Sequence, residues 1–107
     1  MILVTSDNVP GYDSVEVLKI VIGNVVMSKH LGRDIAASFK TLAGGEIKGY
    51  TEMLTEARNI AIQRMIDEAE KINADAIVCF RLGSSSVMSG SAEMVAYGTA
   101  VKVKKTE

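Results

Sequence analysis

The stretch YTEMLTEARNIAIQRMIDEAEKIN, residues 50–73, decides the fold. At 100° per residue Leu54, Ala57, Ala61, Met65, Ala69 and Ile72 fall within about 60° of one line, the pattern of a long helix with one apolar stripe. Asn73-Ala74-Asp75 breaks the pattern and ends the helix. Arg58 lies about 40° from the centre of the stripe and Glu68 about 40° to the other side, so both are expected to border the buried zone. Ten residues separate them, about 15 Å along the axis, which excludes pairing between the two.

On the C-terminal side of this helix the period changes to two. Strands are predicted over Ala76 to Leu82 and Glu93 to Lys104, joined by the Ser/Gly-rich loop GSSSVMSGS. The last of them sets Val95, Tyr97, Thr99, Val101 and Val103 opposite the small residues Ala96, Gly98 and Ala100. On the N-terminal side, Ile35, Phe39 and Leu42 predict a short helix from Arg33 to Leu42, stopped by Gly44-Gly45.

Earlier still, Val15 to Met27 is apolar on both alternating faces. Val15, Val17, Val21 and Val25 fall on one, and Leu18, Ile20, Ile22 and Val26 on the other. Pro10-Gly11 turns the chain between that strand and a first one, Ile2 to Thr5. The order is β-β-α-α-β-β, an α+β subunit in which one long helix packs on a mostly antiparallel sheet.

One helix pair covers one face of such a sheet. Strands apolar on both faces therefore predict that the rest meets another subunit, since large bare apolar patches are rare on monomers.

Composition sets the outer limits. At 107 residues the chain is one domain, with 48% hydrophobic, 23% charged and 5% aromatic residues and no Trp, so the core is aliphatic. Twelve basic against thirteen acidic side chains give a net charge of −1, no field for gathering nucleic acid or anionic lipid. The single cysteine, Cys79, has no partner for an internal disulfide, the N-terminal segment does not read as a secretory signal, and Glu16, Lys19 and Asn24 interrupt the most apolar run. A cytoplasmic protein with no membrane span is the expectation.

The chemistry available is sparse. Arg58 reads either as an anchor for a carboxylate or phosphate, or as a charge paired with a nearby acid such as Asp34 or snorkelling to the rim. Cys79 falls, by strict alternation, on the face of Ile77 and Arg81. The arginine would favour a reactive thiolate, whereas burial would make Cys79 a small hydrophobe. One Cys and one His, His30, supply no intrachain metal site with recognised spacing, although symmetry copies of Cys79 or of carboxylates could converge in an oligomer. Met88 and Met94 flank the serine-rich turn as gap-filling thioethers or soft-ion ligands. With His30 the sole imidazole and no GxSxG elbow, nothing points to catalysis.

The ordered set Arg33-Asp34, Phe39, Gly44-Gly45, Tyr50, Ala57-Arg58 with Ala61 and Met65, Ala74-Asp75-Ala76-Ile77-Val78 and Tyr97-Gly98-Thr99-Ala100-Val101 resembles the YbjQ-like family over nearly the whole chain. Those are small bacterial and archaeal proteins of uncharacterised function that carry a heavy-metal-binding label. The resemblance implies a YbjQ-like, dodecin-like ring assembly, a homopentamer whose sheets are completed between neighbours. It also implies glycine where Asn73 and Cys79 stand, and asparagine tolerates the left-handed backbone that glycine would supply at position 73. The expected function is non-enzymatic binding of a small ligand or ion at subunit interfaces, with Arg33, Asp34, Tyr50 and Arg58 as the polar residues there. A purely structural oligomer, and metal sequestration through Cys79 or carboxylates, are the alternatives.

Overall fold

The computed structural model describes residues 1–28, 43–88 and 91–107. The short helix expected over 33–42, together with Arg33 and Asp34, lies outside the described residues.

Strands β1 (Ile2–Leu3) and β2 (Tyr12–Ser28) precede helix α1 (Ala43–Lys71), and strands β3 (Ala76–Met88) and β4 (Ser91–Lys105) follow it. They form one mixed sheet in the order β1-β3-β4-β2. β4 is antiparallel to both β3 and β2, while β1 runs parallel to β3.

Helix α1 begins seven residues earlier than its stripe implies, and Gly44-Gly45 opens it rather than ending the preceding segment. In the first turn the backbone N–H groups have no intrahelical partner in any case, so glycine costs less there than at mid-helix. Likewise Gly83 to Met88 is strand, not loop: Gly83 pairs with Val95, Ser85 with Glu93 and Met88 with Ser91. Ladder hydrogen bonds come from the backbone, and small polar residues join them where a partner strand is in register.

The helix lies on one face of the sheet. Ala57, Ala61, Met65 and Ala69 are fully buried, and the last three meet Val21, Ile77, Ala96 and Ala100 in the main core. Gly23 permits the close approach. A β-carbon there would overlap the backbone of Ala61 and Met65, so helix and strand touch main chain to main chain. At Gly98 a β-carbon would stand 2.6 Å from Cγ2 of Ile77.

Schellman geometry ends α1. Asn73, at φ 59°, donates to the Glu70 carbonyl (3.1 Å), and Ala74 donates to that of Ala69 (3.1 Å). The expected tolerance of Asn73 for the left-handed region is what the backbone uses.

A second, smaller cluster, Val9, Ala76, Val78 and Val101, sits on the sheet's outer face, where the segment before β2 folds over β3 and β4. The rest of that face is bare: Val17 is 69% exposed, Ile20 65%, Ile22 55%, Val26 47% and Tyr97 43%. Two register shifts in β2, at Ser14/Glu16 and Val17/Lys19, change the strict alternation expected of it. Val17, opposite Val101, shares the outer face with Ile20, Ile22 and Val26, while Leu18 packs inward beside Val21 and Val25. The radius of gyration is 17.3 Å, against about 13 Å for a compact domain of this length.

Candidate functional site

Three polar arrangements stand out. The first is the bulge in β3, where Cys79 and Phe80 together oppose a single residue of β4 between Val78 and Arg81. Cys79 has φ 55°, the left-handed conformation that a glycine-type bulge requires. That explains why glycine is expected at this position, and it corrects the face assignment. Ile77 packs under the helix and Arg81 lies on the outer side with Tyr97, because the bulge interrupts the alternation.

The N-terminal segment closes over the bulge. Cys79 N–H donates to Ser6 (3.0 Å) and Phe80 N–H to Val4 (3.1 Å). Nη1 of Arg81 donates to the carbonyls of Thr5 (2.9 Å) and Phe80 (2.8 Å). The half-buried Cys79 thiol donates to Oδ1 of Asp7 at 3.3 Å. The Asp7 hydrogen bond, burial and the nearby negative charge together push the thiol pKa up, outweighing the opposing pull of Arg81. Cys79 is therefore held as a thiol rather than the thiolate that the arginine neighbour suggested.

The second arrangement ties the end of α1 to β4. Asp75 accepts from the backbone N–H of Val103 (3.0 Å) and from Nζ of Lys102 (3.2 Å), which also donates to the Asn73 carbonyl (2.9 Å). The Val103 hydrogen bond, with Lys102, lowers the Asp75 pKa. This clasp is structural, and both side chains are 38% exposed.

The third lies along α1. Arg58 is exposed, outside the contact ridge, and its Nη2 donates to Oγ1 of Thr55 at 3.1 Å. The expected border position holds for Glu68, which is half-buried, and fails for Arg58, toward the N-terminal part of the helix, where even Leu54 of the expected apolar stripe is 43% exposed. Glu68, on the other flank, pairs with Lys71 at 3.2 Å. An open groove of about 500 Å³ along α1 is lined by Thr51, Glu52, Thr55, Glu56, Asn59, Ile60 and Gln63, and Arg58 is not part of its lining. Tyr50 lies in α1, but its side chain, like Arg33 and Asp34, lies outside the described residues.

For a heavy-metal ion the described residues of one chain fit poorly. Among the described residues no group of three His, Cys, Asp or Glu side chains converges, and the one thiol is protonated and engaged with Asp7. Soft ions want thiolates.

These features define an α+β protein with one described helix on a mixed four-stranded sheet. The same fold occurs in a crystal structure from Pediococcus pentosaceus, a protein of unknown function in the DUF74 family, with a TM-score of 0.51 and 17% identity over 97% of this chain and 98% of that one. The chain belongs to the YbjQ family, whose model, described as "Putative heavy-metal-binding", matches residues 1–104. Proteins called UPF0145 are similar along their whole length. One from Thermosipho africanus is 73% identical over 99% of this chain and 98% of its own. Another, from Thermotoga maritima, is 70% identical over 98% and 99%, and one from Vibrio campbellii is 54% identical over 96% and 99%.

Proposed function

We propose that the chain is the subunit of a cytoplasmic, non-enzymatic homo-oligomeric ring, five-membered as the family resemblance implies. The ring holds a small ligand or ion where subunits meet, with Arg33, Asp34, Tyr50 and Arg58 as its polar contacts. One observation carries this reading. The sheet's helix covers one face and leaves the 17-residue edge strand β2 with a row of exposed valines and isoleucines and, among the described residues, no strand on its outer side. Burying such a side chain contributes about 1.5–3 kcal/mol when complete, so a row half exposed favours association by several kcal/mol.

Heavy-metal binding is the second reading, supported by the family's description. It needs thiols or carboxylates from several subunits to converge, because Cys79 and Asp7 alone make two donors.

Native mass spectrometry of protein purified without added ligand tests the proposal. A ring whose mass exceeds that of its subunits by one small-molecule or ion increment per interface is the expected result, with the increment lost in Arg58→Ala. A ring of bare subunit mass, unchanged by Arg58→Ala, overturns ligand binding in favour of a structural scaffold.

A further inference from the structure

We draw no further inference here: the strongest candidate, the open groove along α1 with the carboxylates of Glu52 and Glu56 in its lining, is an acidic stretch on the solvent side of one helix, and nothing among the described residues points to a ligand for it.

Discussion

Gly23 of β2 lies directly against the backbone of Ala61 in α1, so close that the smallest side chain at position 23 has no room. That contact sets the depth at which the helix seats and leaves a ridge of Ala57, Ala61, Met65 and Ala69 as its buried surface. Gly23→Ala should destabilise by about 1–3 kcal/mol, toward the upper end because the clash is with main chain and not with a movable side-chain tip. A urea titration should show a lower midpoint with an unchanged slope, and an unchanged midpoint would contradict the seating described.

Position 79 should prefer glycine for stability. The left-handed conformation costs a residue with a β-carbon about 1 kcal/mol, which Cys79 offsets in part by its bond to Asp7 and its contacts with the outer cluster. Cys79→Gly should match or exceed the parent in thermal midpoint. Cys79→Ala should fall below it, and Cys79→Val should be the least stable, since β-branching is most strained at positive φ. A Cys79→Val protein as stable as the parent would refute the bulge geometry.

The thiol should also be slow to alkylate. Because Asp7 raises its pKa, the rise of alkylation rate with pH should be displaced to higher pH than for an ordinary cysteine, and Asp7→Asn should move it back down. Rates followed by mass spectrometry decide this. Equal profiles for parent and Asp7→Asn would remove the hydrogen bond from the account.

Asp75 ties stability to acid. Its folded pKa lies below the ordinary 3.8, so the unfolded chain binds its proton first as pH falls. The stabilisation from the charged clasp is therefore complete above about pH 4–5 and is lost as pH drops through the ordinary value toward the lower folded one. Asp75→Asn should be less stable at neutral pH and flatten the acid limb of the stability curve, read by denaturant midpoints from pH 7 to pH 3.

Much of this was legible beforehand. The apolar periods gave a long helix packed on a mostly antiparallel sheet, and the line of small residues Ala96, Gly98 and Ala100 is the buried face of the last strand. The close approach at Gly23 was not legible in the sequence, because its partner on α1 lies about forty residues away and no local pattern names it. The bulges were illegible, because one inserted residue inverts every assignment after it: Val17 and Leu18 exchanged faces, and Cys79 separated Ile77 from Arg81. The expectation of glycine at position 79 was the trace the β3 bulge left, as that at position 73 marked the end of α1, and both residues have positive φ. Arg58 was misplaced for a different reason. Helical angle fixes direction, but burial also varies along the helix axis: toward its N-terminal part even Leu54 of the stripe is 43% exposed, and Arg58 reaches water beside Thr55. The Asp75–Lys102 clasp joins residues 27 apart, and no local pattern announces such a pair.

The central claim is that one chain is an incomplete unit, its outer face and long edge strand awaiting copies of itself. Sedimentation equilibrium of the unmodified protein over a hundredfold range of concentration tests it most directly. The account predicts assemblies several times the 11.5 kDa subunit mass throughout that range. A single species of 11.5 kDa at every concentration would contradict it.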